Sequence, residues 1–302
     1  MIQKKERIHM MGTVIDLLIE HDNPDPIMAE AIERLRVYEQ RFSANRHDSE
    51  LMAINHQAGQ RPVVVHPQLY DLIKIGKYHS CADDSHLNIA IGPLIQTWRI
   101  GFQDAKVPSQ AEIDELLRLT NPYHIILDDQ EQTVFLKESG MKIDLGCLAK
   151  GYMADLLVDF LKTAGVTAAL INLGGNIVGL GPVRQGQAEK WRIGIQDPQK
   201  NRNDYVTVLD IANQSVVTSG IYERSLKKDN QTYHHIFNPK TGYPTQTDVA
   251  SLTIRSKQSV DGEIWTTRLY GHQSETIIDT LNQLDDIDGI VITQTGHVLY
   301  SK

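Results

Sequence analysis

Cysteine occurs only twice in the 302 residues, at Cys81 and Cys147, and the two lie far apart. No metal-type or redox-type spacing results, so the sequence supports neither a disulfide framework nor a zinc site. Basic charge is also in deficit. Thirty Lys and Arg against 38 Asp and Glu leave a formal net charge of -8, which argues against a partner bound through a nucleic-acid backbone, since that demands clustered cations. Long apolar runs are missing too, and no segment reaches the roughly 18 residues of a membrane span. Residues Met1 to Met10 are charged, with no apolar stretch of about seven residues and no cysteine for lipid attachment. The expected location is cytoplasmic, or that of an exported lipoprotein if a processed leader once preceded this sequence. Internal repeats, low-complexity tracts and Pro/Gly/Ser-rich linkers are absent as well, so the expectation is one domain spanning residues 1-302.

What is present describes an ordinary globular chain. A hydrophobic fraction of 41% with 23% charged residues is enough to build a sizeable core. Arg7 to Glu20 reads as strand. Met28, Ile32, Leu35, Tyr38 and Phe42 recur at steps of three and four, predicting an amphipathic helix over 26–42. Further helices are expected over 68–79 and 111–119. A short meander is expected from 124–127, 133–137 and 142–145, with Ser139-Gly140 at its last turn. Leu148, Tyr152, Leu156 and Phe160 line a helix that stops at Gly165, and a strand over 168–173 follows it. Later strands are expected around 191–195, 205–209, 216–218 and 234–237, then a helix over 274–284 and a hairpin turned by Thr295-Gly296. Strands in runs with helices inserted place the fold in the α+β class, with mixed or antiparallel sheets and packed helices.

Several segments carry chemistry. Gly174-Gly175 follows a strand as in a nucleotide-binding loop. A dinucleotide fingerprint opens a helix, however, and here Gly179, Gly181 and Pro182 break the chain again, which favours a tight turn. Asp144 to Tyr152 passes from strand to helix, so free helical N–H groups beside Lys150 form an anion cradle, or else a glycine-relieved turn with a surface lysine. His234 and His235 are adjacent in a strand-like run and point to opposite faces, and spacing alone does not choose between them. The punctuated loop Asn238 to Pro244 sits where ligand contacts are common. Asp261 offers a carboxylate for a hard cation such as Mg²⁺, although alone it reads as a helix cap.

Taken together and in order, these segments resemble the ApbE family along nearly the whole chain. The resemblance rests on Met11-Gly12-Thr13, on Phe42-Ser43 with Asp48 to Leu51 and Asn55, and on Ile91 to Leu94 with Trp98. It continues through Asp144 to Gly146 with Lys150 to Tyr152 and Asp155, then Asn172 to Gly175 and Thr218 to Gly220. Its most specific piece is His235-Ile236-Phe237-Asn238-Pro239-Lys240-Thr241-Gly242. The resemblance implies an FAD:protein FMN transferase, which moves FMN from FAD to a Thr or Ser hydroxyl in an exposed segment of a flavoprotein acceptor. It implies a flavin site at Met11, Ala90, Ile91, Gly92, Asp144, Lys150, Thr218, Ser219 and Gly220. It further implies Mg²⁺ held by the Cys147 main-chain carbonyl and Asp261, and His235 as the proton acceptor.

Four positions depart from the family's pattern. The family usually carries threonine four residues after the metal aspartate, where this chain has Trp265; Thr266, five residues on, points about 140° away on a regular helix. Asn88, Asn176 and Asn238 stand where the family favours aspartate. Two further readings of the same pocket follow: an FAD pyrophosphatase releasing FMN and AMP, and an FAD-binding protein with impaired catalysis.

Overall fold

A computed structural model describes residues 1–182, 189–222, 225–228 and 231–302. Strands β1 (Ile2–Met10) and β2 (Thr13–His21) form an antiparallel hairpin where the sequence pattern indicates one strand over 7–20. Its two-residue turn, Met11-Gly12, has φ of 55° and 67°. The apolar Met11 in this left-handed position hides the turn from a polarity reading. Helices α1 (Pro24–Phe42) and α2 (Glu50–His56) follow, then β3 (Val63–Val64), α3 (Pro67–Ser80), α4 (Gly92–Trp98), α5 (Gln110–Leu117), β4 (Ile125–Asp128) and β5 (Thr133–Leu136). The central segment runs α6 (Ala149–Thr163), β6 (Ala168–Leu173), β7 (Asn176–Leu180), β8 (Trp191–Gln196), β9 (Tyr205–Ile211) and β10 (Gln214–Gly220). The remainder comprises β11 (Ser225–Lys228), β12 (Gln231–His234), β13 (Val249–Ser256), α7 (Ser259–Leu269), α8 (Ser274–Leu281), β14 (Asp288–Thr293) and β15 (Val298–Tyr300).

Among the described residues, eight strands form one sheet in the order β1-β2-β6-β7-β10-β13-β14-β15. Each neighbouring pair in it is antiparallel. Alternation along β6 divides the core: Ala169, Ile171 and Leu173 face the main cluster with α1, α3 and α6, while Ala168 joins Trp191, Ile193 and Ile211 on the other side. Helices α7 and α8 seal β13 and β14, Leu269 and Ile277 packing with Leu252 and Ile254 in one buried cluster. The architecture is α+β, as its pattern of elements predicts.

Two local expectations are corrected. Residues 142–145 are not the third strand of a meander; Val63–Val64 takes that place, giving the order β3-β5-β4. The 142–144 segment instead runs beside 89–91, with Ile91 bridged to Lys142 and the Asp144 N–H donating to the Ile89 carbonyl at 2.9 Å. On α6 the buried positions are Ala149, Gly151, Met153, Ala154, Leu157 and Leu161, one step from the expected stripe. The large residues Tyr152 and Phe160 are half-buried against α1, where Phe42 meets Tyr152 edge-on at 5.8 Å and Arg34 lies 4.3 Å over Phe160. Gly151 faces α7.

Candidate active site

Two hairpin turns and the end of strand β10 lie at one end of the large sheet. The Met11-Gly12 hairpin lies beside the β6–β7 hairpin, because β2 pairs with β6 in the register Ile15 to Leu173. Gly174 and Gly175 turn that second hairpin with φ of 64° and 95°, and a Cβ on Gly174 would lie 2.3 Å from Thr13 Oγ1. Gly174-Gly175 is therefore a tight turn with a close backbone approach, not the opening of a nucleotide-binding helix. Next along the sheet, Val217 pairs with Asn176, which carries Thr218, Ser219 and Gly220 past the β7 hairpin at the same end. The Thr218 hydroxyl is hydrogen-bonded to that of Thr253 at 2.8 Å. The Met11 N–H donates to Glu39 Oε1 at 3.0 Å, tying its turn to α1.

The first turn of α6 packs against the first turn of α7. A Cβ on Gly151 would lie 2.6 Å from the Ser259 carbonyl oxygen and 2.8 Å from Glu263 Cγ, so this crossing requires glycine. Around it lies a buried polar network. Asn176 Nδ2 donates to Glu263 Oε1 at 3.1 Å, the Ser259 hydroxyl donates to Asn176 Oδ1 at 2.5 Å, and Lys150 Nζ lies 3.7 Å from Glu263 Oε1. The amide orientation is forced, because a flipped Asn176 would set its oxygen against a carboxylate. Glu263 is the residue the sequence reading missed. Its partner Asn176 lies 87 residues away, so no local pattern marks it.

Carboxylates dominate this corner. Asp144 Oδ1 accepts from the Gly146 N–H at 2.8 Å, and burial raises its pKa. Asp155 is pushed up to about 6, chiefly by burial with Asp261 adding to it. Burial also raises Asp261, and among the described residues no cation is paired with it. The Cys147 thiol is raised by burial and by the charges of Asp144 and Glu263, so it stays protonated and is no thiolate ligand. Its carbonyl is the better donor: among the described residues no backbone N–H donates to it. No hydrogen bond joins Cys147 to Asp261; they occupy adjacent turns. Among the described residues no group of three or more His, Cys, Asp and Glu side chains is assembled for a metal. A main-chain carbonyl and an unpaired carboxylate are hard oxygen donors that fit Mg²⁺, provided a ligand supplies further oxygens.

The departures from the expected pattern acquire physical roles. Helix α7 is regular throughout, and the buried Thr266 hydroxyl donates to the Glu263 carbonyl at 3.1 Å, so Thr266 does not turn toward Asp261. Trp265 lies under the Arg268 guanidinium, 4.6 Å from its ring centroid. Asn88 uses both ends of its amide: Nδ2 donates to the Thr120 carbonyl at 2.8 Å and Oδ1 accepts from the Ala90 N–H at 2.8 Å. It thereby fixes the Ala90-Ile91-Gly92 turn. Gly92 abuts the Lys142 carbonyl, where a Cβ would lie 2.6 Å away. Asn238 Oδ1 accepts from the Lys240 N–H at 2.8 Å, a role aspartate would fill equally.

Hydrogen bonds define the place of His234. His234 Nε2 donates to the Thr245 carbonyl at 2.9 Å and its Nδ1 accepts from the Ile236 N–H at 3.3 Å, while burial lowers its pKa. It is a neutral structural ring with both nitrogens engaged. His235 is half-buried at the bend after β12 and heads the loop to Pro244. That loop docks on α4: Trp98 Nε1 donates to the Gly242 carbonyl at 3.0 Å, and its ring meets Tyr233, Phe237 and Tyr243 at 5.4 to 5.7 Å. Because α4 begins at Gly92, Trp98 connects the His235 loop to the turn that borders Asp144.

Known proteins resemble this chain in sequence and fold. A family model described as the ApbE family matches residues 11–291. A Klebsiella pneumoniae (strain 342) protein named FAD:protein FMN transferase is 41% identical over 294 residues, covering 97% of this chain and 90% of that protein. A Treponema pallidum (strain Nichols) protein of the same name is 34% identical over 298 residues, covering 94% and 82%. The crystal structure of an ApbE protein from Thermotoga maritima superposes with a TM-score of 0.90 at 26% identity, over 99% of this chain and 97% of that one.

Proposed function

This chain belongs to the ApbE family, and from that premise we infer that it is an FAD:protein FMN transferase, taking FMN from FAD and joining it to a protein. The observation that carries this reading is the family match over residues 11–291, with a 41%-identical FMN transferase aligned along nearly its full length. The site geometry supports it. The turns at Met11 and at Ala90 to Gly92, with the end of strand β10 at Thr218 to Gly220, frame the flavin-binding region, and the α6 N-terminus with Lys150 receives the diphosphate. Cys147, through its carbonyl, and Asp261 would hold Mg²⁺, which would neutralise the diphosphate and the charge that develops as AMP departs. In the reaction a Thr or Ser hydroxyl oxygen of the acceptor bonds to the FMN phosphorus, the P–O bond to AMP breaks, and His235 accepts the hydroxyl proton. His234 is excluded from that role because both its ring nitrogens are engaged.

The amide roles of Asn88 and Asn176 weigh against an impaired binding protein, because both side chains hold site elements in place. The test is incubation of the protein with FAD, Mg²⁺ and a candidate flavoprotein acceptor. Covalent FMN on the acceptor, read by mass, is the expected outcome. Free FMN and AMP with no adduct would establish the pyrophosphatase reading instead, and unchanged bound FAD would establish binding without catalysis.

A further inference from the structure

Helix α7 starts without help from its own chain neighbour: its N-cap residue, Gln258, makes no side-chain capping bond. The first N–H groups of a helix have no intrahelical partner and need one from elsewhere. Here Asp155, in the second turn of α6, supplies it. Its Oδ1 accepts from the Ser259 N–H at 2.7 Å and its Oδ2 from the Val260 N–H at 2.9 Å. One carboxylate thus caps a different helix with both oxygens, and the paired bonds restrict rotation of that helix as well as its separation from α6. The next residue is Asp261. The turn immediately before α6 carries the Cys147 carbonyl.

We propose that Asp155 is a positioning residue for the cation site, acting through the first turn of α7 to set where the Asp261 carboxylate stands relative to the Cys147 carbonyl. This rests on the reading of that site given above. The Gly151 contact fixes how closely the two helices approach, and the Asp155 clamp fixes their rotational register. A carboxylate is required. Asparagine presents one acceptor and one NH₂ group, so one of the two N–H donors would face another donor.

The test measures binding, so it is readable without an acceptor protein. Magnesium affinity is measured by calorimetry on the FAD-loaded protein, and FAD affinity separately without magnesium. Asp155→Asn is expected to weaken Mg²⁺ by about 10- to 100-fold, the usual scale for residues supporting metal ligands, and to leave metal-free FAD affinity within about twofold. A folded D155N protein with wild-type Mg²⁺ affinity, whatever its melting temperature, would reduce Asp155 to a structural cap and overturn the proposal. Should D155N fail to fold, Asp155→Glu decides: it keeps both acceptor oxygens but displaces them by one methylene, so weaker Mg²⁺ binding is expected and unchanged binding overturns the proposal. Loss of FMN transfer in the wild-type protein would instead count against the proposed function, and leaves this binding comparison standing.

Discussion

The two halves of the site are held by different forces. The corner formed by α6, α7 and Asn176 is wired by polar bonds that run between separate elements, whereas the His235 loop is hydrogen-bonded largely within itself and docks on α4 by aromatic packing around Trp98, with the Trp98–Gly242 and Tyr243–Gln110 bonds beside it. Polar wiring fixes direction, which a cation site needs, because ligand oxygens must converge. Aromatic packing fixes position with more rotational tolerance, which suits a group that must meet a hydroxyl on another protein. Damage to the first half is therefore expected in metal and FAD binding, and damage to the second in the transfer rate.

The sharpest separation comes from His235→Ala. Transfer should fall at least about 100-fold, the lower range for losing a general base, while FAD and Mg²⁺ affinities stay within about twofold; single-turnover labelling of an acceptor measures it. Trp98→Ala follows. Removing this fully buried ring should cost about 3–5 kcal/mol in a denaturant titration, and in the protein that remains folded the transfer rate should drop more than Mg²⁺ affinity. Gly151→Ala strikes the other half: the added methyl meets the Ser259 carbonyl at 2.6 Å, an overpacking cost of about 1–3 kcal/mol, with Mg²⁺ affinity falling more than the metal-saturated rate. Equal losses of metal binding and rate in both variants would erase the distinction.

Much of this organisation is legible in the sequence because local patterns encode it. The α1 stripe, the β6 run and the Gly174-Gly175 turn follow from periodicity and glycine alone. The Met11-Gly12 turn is hidden because an apolar residue occupies a left-handed position that usually goes to glycine or asparagine. The α6 face is misread because large apolar residues attract attention, while its buried seam uses Ala149, Gly151 and Ala154 for close approach. Glu263 and the Asp155 clamp are tertiary. Their partners lie 87 and 104 residues away, beyond any local pattern. The tie of His234 to the Thr245 carbonyl is likewise tertiary, because only the folded loop brings the two together.

The smallest expected effect is on pH dependence. Burial holds His79 and His86 down at about 4, so below the ordinary histidine value of 6.5 the unfolded chain binds protons these rings refuse, and stability falls as pH drops toward 4. Asp155, raised from 3.8 to about 6, works in the opposite direction: the folded chain takes its proton first, so acidification between about 6 and 3.8 favours folding through this group. Two histidines against one aspartate give a net loss, and a melting temperature lower at pH 5 than at pH 7 is expected. In D155N the opposing contribution is gone, so the same pH step should cost more.

The most direct test is a crystal structure of the protein with FAD and Mn²⁺ in place of Mg²⁺. The account predicts an anomalous peak within about 2.0–2.3 Å of both the Cys147 carbonyl oxygen and an Asp261 carboxylate oxygen, against the flavin diphosphate. Bound FAD with its metal elsewhere, or with Asp261 turned away from it, would contradict the account.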